Sequence, residues 1–124
     1  MNRFVILRHQ TPAGEHWDVL LETEPALAAW SVPPQNTGGL AFSCPAKKLP
    51  DHRKFYLDYE GAVSGDRGTV SRIDSGTYEE AAPHQFRLNG GVFSGVLCIE
   101  IEEDSGVSDT GGKDSGFRMI FLPV

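Results

Sequence analysis

Residues 86–102, FRLNGGVFSGVLCIEIE, indicate most clearly how this chain folds. From Leu97 to Glu102 every second residue is apolar, and this alternation predicts a β-strand with one apolar face and one mostly polar face. Asn89 to Gly91 interrupt the apolar pattern before it and predict a hairpin turn, because Asn and Gly tolerate positive φ angles. The stretch therefore predicts two antiparallel strands joined by a tight turn.

Similar short runs recur along the chain between Gly, Pro, Asn and Asp residues. The predicted strands cover residues 3–9, 16–22, 27–32, 39–43, 69–73, 85–88, 92–102 and 117–122. The content of 14 Gly and 8 Pro also favours turns and short strands over long helices. Strands at this spacing predict an all-β antiparallel sandwich or barrel.

Size and charge limit the classes of protein to which the chain can belong. A chain of 124 residues predicts a single domain over residues 1–124, since a domain typically holds about 150 residues. The 11 basic and 17 acidic residues give a net charge of -6. This charge argues against a protein that coats nucleic acid through a general positive field, so a phosphate-bearing partner must be bound locally.

The segment 102–115, EEDSGVSDTGGKDS, differs in composition from the rest of the chain. It holds five acids and one Lys, and it predicts a mobile loop between two strands. A calcium loop is the alternative, but the required ligand spacing and closing Glu are absent. Neither a signal-peptide pattern nor an apolar run of about 18 residues is found, so we expect a cytoplasmic protein without membrane contact.

Two histidines and an aspartate lie close together near the start of the chain. In the predicted strand HWDVLLE, residues 16–22, His16 and Asp18 share one face, while the other face is wholly apolar and belongs to the core. The loop QTPAGE, residues 10–15, could return His9 to the same place. Two imidazoles and one carboxylate suit a catalytic Mn, Fe or Zn ion. The alternative is an ordinary hydrogen-bonded His–Asp pair.

A second group of polar residues lies in PDHRKFYLDYEG, residues 50–61. His52 is a candidate proton donor and Tyr56 a candidate orienting hydroxyl. Such a basic stretch is usually solvated surface, but in an acidic chain this dense positive charge around a histidine favours phosphate binding. The cations are Lys47, Lys48, Arg53 and Lys54, with Asp51 as the one acid among them.

These segments carry a resemblance to a known family. The order RFVILRH, HWDVLLE, AAWSVP, PDHRKFYLDYEG and GDRGTVSRIDSGTYEE, followed by the closing strand pair, resembles the 3'-phosphoesterase domain of bacterial DNA ligase D and its stand-alone relatives. The most specific parts are H-loop-H-x-D, the W-x-V-P stretch, and D-H-x-x-x-Y followed closely by E-G. The similarity extends from Arg3 to the final strand.

The resemblance implies a small, mainly antiparallel β-barrel with short connecting turns. It also implies a manganese-dependent DNA repair enzyme that trims 3' ends of DNA primers, removing a terminal ribonucleoside and then the remaining 3'-phosphate. His9, His16 and Asp18 align with the family's metal ligands, with Mn²⁺ as the expected cofactor and other divalent transition metals as alternatives. His52 aligns with the catalytic, phosphate-contacting histidine, and Tyr56 with the tyrosine four residues beyond it. The expected partner is a DNA 3' end or primer-template, with a separate ligase or polymerase as a further candidate.

One position departs from the family pattern. The family's strand motif H-x-D-x-R-x-E has an arginine that reaches the phosphate, and this chain has Leu20 there. Loss of a preorganised donor of this kind typically costs on the order of 3 kcal/mol of transition-state stabilisation. Arg8, beside His9, and Arg53, beside His52, are the candidates to bind phosphate in its place.

The sequence leaves other functions open. A non-catalytic nucleic-acid-binding or scaffold module could have kept the fold and lost the activity together with the arginine. A hydrolase for a different small phosphoester or nucleotide is a third class. Arg67, in the turn GDRG at residues 65–68, is a plausible phosphate-binding side chain, although the segment is more typical of a plain β-turn.

Overall fold

The computed structural model describes residues 2–102 and 116–124. These two stretches form nine β-strands and one short 3-10 helix, Lys54–Leu57, so the all-β prediction is confirmed. The strands are β1 (Asn2–Thr11), β2 (Gly14–Glu22), β3 (Leu27–Val32), β4 (Phe42–His52), β5 (Gly61–Ala62), β6 (Thr69–Ala82), β7 (Gln85–Gly90), β8 (Ser94–Glu102) and β9 (Gly116–Pro123).

Eight of these strands close into an antiparallel barrel. Their order is β1-β2-β3-β4-β9-β8-β7-β6, and β6 pairs again with β1. The length of β6 makes closure possible, because its first part pairs with β1 and its last part with β7. The short β5 pairs with the first residues of β6. The predicted barrel is confirmed, and the sandwich alternative is excluded by the β1–β6 pairing.

The strand predicted at residues 39–43 was wrong in its bounds. The observed strand β4 begins at Phe42 and continues to His52, although Pro45 and Pro50 lie within it. Prolines remove backbone donors and are rare inside sheets, so the local sequence argued against a strand. Pairing to β3 on one side and β9 on the other overrides that preference.

Apolar side chains form two separate layers. The barrel interior takes residues from all eight barrel strands, including Trp17, Val19 and Leu21, which confirms the predicted core face of β2. The opposite face of β2 is buried as well. Its apolar part belongs to a second group, called here the outer cluster, which packs beneath the 3-10 helix. The outer cluster consists of Val5, Leu7, Leu20, Leu27, Ala29, Leu57 and Val70.

The β7–β8 hairpin is present as predicted, but for a different physical reason. Gly90 and Gly91 do not have positive φ angles. Instead, the buried Asp74 side chain accepts hydrogen bonds from the backbone N–H groups of Gly91 at 2.9 Å and Phe93 at 2.7 Å. A Cβ atom on Gly90 would lie 2.3 Å from Asp74 Oδ2. Glycine is therefore required because the carboxylate approaches the turn closely.

The predicted acidic loop at 102–115 lies outside the described residues, apart from Glu102 at the end of β8. In the described part of the chain, no helix has the length and apolar character needed to span a bilayer.

Candidate functional site

The β1–β2 hairpin places His9 directly opposite His16, because the two residues are partners in the antiparallel register. Asp18 lies two residues further along β2 and therefore on the same face as His16. One ligand atom from each of the three side chains lies within 4.8 Å of the others. The structure thus brings together the three residues that the sequence predicted as metal ligands.

The Asp18 carboxylate lies between the two imidazoles. Its Oδ2 is 3.0 Å from His9 Nδ1, and its Oδ1 is 3.0 Å from His16 Nε2. The Oδ1–Nε2 pair is not aligned as a hydrogen bond, so Oδ1 is buried without a hydrogen-bond partner among the described residues. Asp18 as a whole is only 3% exposed. A buried carboxylate oxygen without a hydrogen bond is costly unless a cation or proton compensates it.

A backbone carbonyl determines which nitrogen of His9 faces Asp18. His9 Nε2 lies 2.8 Å from the Arg67 carbonyl oxygen, which can only accept, so Nε2 carries the hydrogen and donates it. In the neutral ring, Nδ1 then presents a lone pair toward the carboxylate. An imidazole whose one N–H is held by a backbone carbonyl, while its other nitrogen faces a carboxylate, is oriented as in histidines that bind metals.

The residues present fit a divalent transition-metal ion. Ligand atoms about 2.1 Å from a shared ion, at angles of roughly 90–110°, lie about 3.0–3.5 Å apart. Each imidazole lies 3.0 Å from one of the two Asp18 oxygens, and the three ligand atoms lie within 4.8 Å of one another, so small side-chain adjustments would bring them to one ion. Two imidazoles and one carboxylate form the donor set, and the buried Asp18 Oδ1 has no hydrogen-bond partner among the described residues. The cluster could therefore bind a metal ion.

The cluster forms one side of a cleft of about 470 Å³ on the outer surface of the barrel. The other walls come from the end of β4, the 3-10 helix and the turn between β5 and β6. The residues that line the cleft beside the cluster are Leu7, Leu49, Pro50, Asp51, His52, Arg53, Tyr56, Val63, Arg67 and Val70.

His52 and Tyr56, predicted as catalytic residues, both line this cleft. Their rings lie edge to face with centroids 5.7 Å apart. His52 Nδ1 lies 3.0 Å from the carbonyl oxygen of Pro50, so Nδ1 is the nitrogen that donates to the backbone. This contact leaves Nε2 as the ring atom that can exchange a proton with a bound molecule.

Of the two arginines predicted to bind phosphate, the structure brings Arg53 to the cleft but not Arg8. Arg53 lines the cleft, and its guanidinium lies 5.6 Å from the ring centroid of Phe55. Arg8 is not among the described residues that line the cleft, and its Nε donates to Glu15 Oε2 at 3.2 Å. Adjacent residues on a strand face opposite sides, so alternation along β1 separates Arg8 from His9. The alternation of residues 8 and 9 along the predicted strand could therefore have excluded Arg8 from the sequence alone.

The predicted concentration of positive charge around His52 is largely dispersed. The four cations all lie in the described part of the chain, and Arg53 alone among them lines the cleft. Lys48 lies over the Trp30 ring, 5.4 Å from its centroid. Lys54 pairs with Glu24 at 3.0 Å. Two of the four cations are thus held by contacts with other surface side chains.

Ion pairs and apolar contacts hold the 3-10 helix against the barrel. Arg3 Nη2 donates to Asp58 Oδ1 at 2.7 Å, and this hydrogen bond lowers the pKa of the Asp58 carboxyl. The hydrogen bond from Lys54 to Glu24 stabilises the charged ammonium group and so raises the pKa of Lys54. These pairs are exposed and contribute little each. The buried Leu57, in the outer cluster, supplies the larger part of the attachment and so positions Tyr56.

The contact between the Arg67 carbonyl oxygen and the His9 ring was not predicted from the sequence. The Arg67 carbonyl belongs to the turn between β5 and β6 and contacts a histidine 58 residues away. Gly68 makes the approach possible, because a Cβ on this residue would lie 1.9 Å from the Gln10 carbonyl oxygen. The Gly-rich pattern GDRG predicted the turn but not its contact.

The comparison with known families agrees with this geometry. Residues 7–105 match the DNA ligase D 3'-phosphoesterase domain, and this stretch includes every residue that lines the cleft. The chain belongs to the DNA ligase D 3'-phosphoesterase domain family. The resemblance noted in the sequence is thereby confirmed. No curated protein matches the chain.

Leu20 stands at the position where the resemblance to the phosphoesterase family predicts an arginine. Leu20 is fully buried at 0% exposure and packs in the outer cluster. The position at which the resemblance led us to expect an arginine is therefore filled by apolar packing beneath the 3-10 helix, and no cation reaches the cleft from it.

Proposed function

We propose that this phosphoesterase-family protein is a divalent-metal-dependent enzyme that processes 3' ends of DNA in repair. Its substrates would be a 3'-phosphate or a 3'-terminal ribonucleotide. The observation that carries the proposal is the convergence, in one cleft, of the cluster His9, His16 and Asp18 with His52 and Arg53. Metal ligands, a proton donor and a cation are the groups that phosphoester hydrolysis requires.

In this proposal His9, His16 and Asp18 hold the metal ion, with Mn²⁺ as the proposed cofactor. A divalent ion bound there would supply Lewis acidity toward a phosphoryl oxygen and a more acidic bound water. Imidazole nitrogens also suit Fe²⁺ and Zn²⁺, so other transition metals are tested beside Mn²⁺. The Arg67 carbonyl keeps His9 in the orientation in which Nδ1 faces Asp18 and the proposed ion position.

His52 donates a proton to a phosphate oxygen or to the leaving group. Its Nδ1 is held by the Pro50 carbonyl, so the ring presents Nε2 for this exchange. Tyr56 packs edge to face on His52 and limits the rotation of the imidazole. Arg53 adds a positive charge at the rim of the cleft for the phosphate.

The charge distribution supports recognition of a DNA end rather than of a long duplex. The net charge of -6 disfavours general binding to the DNA backbone, while the cleft offers local cations beside a metal cluster. We place the protein in the cytoplasm, with a primer-template end as its substrate and a separate ligase or polymerase as its functional partner.

A non-catalytic module that binds DNA ends is the second candidate. Leu20 favours it, because a buried leucine replaces a cation at a position where the family has an arginine. The two functions differ in whether bound phosphate is released.

The test is incubation of the protein with Mn²⁺ and a labelled primer-template that carries a 3'-phosphate or a 3'-terminal ribonucleotide. We expect release of the terminal group by the wild-type protein and loss of release in His16→Ala. His84→Asn is the matched control, since His84 lies at the β6–β7 turn with a φ of 61°, a conformation that Asn tolerates. If the protein binds the primer-template but releases no terminal group with any of Mn²⁺, Fe²⁺, Co²⁺ and Zn²⁺, the proposed enzymatic activity is refuted and the second candidate is supported.

A further inference from the structure

The turn between β5 and β6 has a rigid and unusual backbone. The N–H of Val63 donates to the Gly68 carbonyl at 2.8 Å and closes the turn. Asp66 and Gly68 both adopt left-handed conformations, with φ angles of 58° and 93°. Gly68 also approaches the Gln10 carbonyl so closely that no side chain fits. These contacts fix Arg67, which lies between the two left-handed residues, against the end of β1.

Arg67 lies at the junction between the candidate metal cluster and the rest of the cleft. Its carbonyl oxygen lies 2.8 Å from His9 Nε2, so its backbone is directly beside the cluster. Arg67 is also one of the residues that line the cleft, together with His16, Asp18 and His52. A group bound between the cluster and His52 would therefore lie next to this residue.

The Arg67 guanidinium is oriented by neutral acceptors. Its Nε donates to the Ser64 carbonyl at 2.7 Å, and its Nη2 donates to Ser64 Oγ at 3.1 Å. These contacts occupy the Nε–Nη2 edge of the planar group and leave the Nη1–Nη2 edge available. Among residues 2–102 and 116–124, no carboxylate lies within ion-pair distance of Arg67.

Other arginines among the described residues are less suited to bind an anionic ligand in the cleft. Arg8 pairs with Glu15, and Arg72 pairs with Glu60 at 3.8 Å. Arg53 rests over the exposed ring of Phe55, and no described residue holds its guanidinium by hydrogen bonds in the way that Ser64 holds Arg67. A preorganised guanidinium loses less conformational freedom when it binds an oxyanion.

We propose that Arg67 binds two oxygens of the terminal phosphate through its Nη1–Nη2 edge and determines the preference for a phosphorylated 3' end. The proposal rests on the proposed function of the cleft and names its specificity residue. It gives the turn a double role, since one residue orients His9 through its carbonyl and the phosphate through its side chain. Ser64 acts as a positioning residue for the guanidinium.

The test compares two primer-templates that differ only in a 3'-phosphate or a 3'-hydroxyl. Binding is measured by fluorescence anisotropy in EDTA, where metal-dependent release cannot occur, and turnover is measured separately with Mn²⁺. We expect the wild-type protein to prefer the phosphorylated end, and Arg67→Ala to lose about 10- to 100-fold of that preference and of kcat/KM. Arg67→Lys should recover part of the preference and part of kcat/KM, since lysine restores the positive charge but not the planar pair of N–H donors.

Arg87→Ala is the matched control, because Arg87 is an exposed arginine on β7. It should leave both quantities unchanged. Arg67→Ala keeps the backbone carbonyl, so a bound metal ion should raise the Tm of this variant as much as that of the wild type. This measurement separates loss of phosphate binding from loss of the metal cluster.

The outcomes separate this inference from the proposed function. Phosphate release with equal kinetics in Arg67→Ala and Arg87→Ala would overturn the role of Arg67 and leave the enzyme in place. An Arg67-dependent preference for the phosphorylated end without release by any metal tested would support the role and overturn the enzyme. A wild-type protein that neither prefers the phosphorylated end nor releases phosphate would overturn both.

Discussion

Asp18→Asn tests the metal cluster most directly, because the substitution removes the charge and keeps the size of the side chain. Asp18 is 3% exposed, and its oxygens lie 3.0 Å from His9 Nδ1 and His16 Nε2. In the metal-free protein we expect a small change in stability, since an ionised carboxylate is itself costly to bury. With metal bound, the wild-type protein gains binding free energy that the variant lacks.

The expected gain follows from linkage between binding and folding. A ligand at 100 times its Kd stabilises the folded state by about 2.7 kcal/mol. For 124 residues, with an unfolding entropy of about 2.1 cal/mol/K per residue, this corresponds to a rise in Tm of about 10 °C. Thermal unfolding followed by circular dichroism, with Mn²⁺ at about 100 times the Kd from calorimetry, measures it.

Asp74→Asn is the matched control, because Asp74 is the other described acid that is buried, at 6% exposure. It accepts two backbone hydrogen bonds, from Gly91 and Phe93, and an amide can accept only one of them. We expect it to lose about 1–3 kcal/mol with and without metal and to keep the metal-induced rise. An equal rise in wild type and Asp18→Asn would refute the ligand assignment, as would a wild-type protein that no transition metal stabilises.

Three further predictions follow from single residues. His52→Gln should slow release of the 3'-phosphate by about 10²- to 10⁴-fold in a single-turnover assay and leave the metal-induced rise in Tm unchanged; a rate within tenfold of wild type would contradict a role in proton transfer. Burial raises the pKa of the Cys44 thiol to about 11, so the unfolded thiol ionises first as the pH rises above about 8.5. Urea unfolding of the wild type should therefore show stability lost relative to Cys44→Ala between about pH 9 and 11, whereas parallel pH profiles would argue against the shift. Gly68→Ala should reduce the free energy of unfolding more than Gly14→Ala, since the new Cβ would lie 1.9 Å from the Gln10 carbonyl in one case and meet no atom within 4 Å in the other; equal losses would contradict the close approach.

Much of the candidate metal cluster was predictable because it depends on local alternation. His16 and Asp18 are two residues apart on one strand, and a short hairpin returns His9 to the same face. The same alternation also separates Arg8 from His9, a point that adjacency in the sequence obscured. Local periodicity is therefore sufficient to predict that the three candidate ligands lie together.

The other side of the cleft could not be predicted from periodicity. The course of β4 through Pro45 and Pro50 to His52 depends on pairing with β3 and β9. The contact between the Arg67 carbonyl and His9 joins residues 58 positions apart. Both depend on how distant strands pair, which a local pattern does not record.

The sequence by itself thus determined the all-β class and the clustering of His9, His16 and Asp18, because alternation and turn residues act within a few positions, and its motifs carried the resemblance to the family. Only the tertiary structure decided that β2 is buried on both faces and that Leu20 packs beneath the 3-10 helix. It also decided that Arg67, rather than Arg8, lines the cleft. The physical reason is barrel closure: the β1–β6 pairing brings the turn before β6 to the end of β1, and only that long-range register places the Arg67 carbonyl beside the cluster.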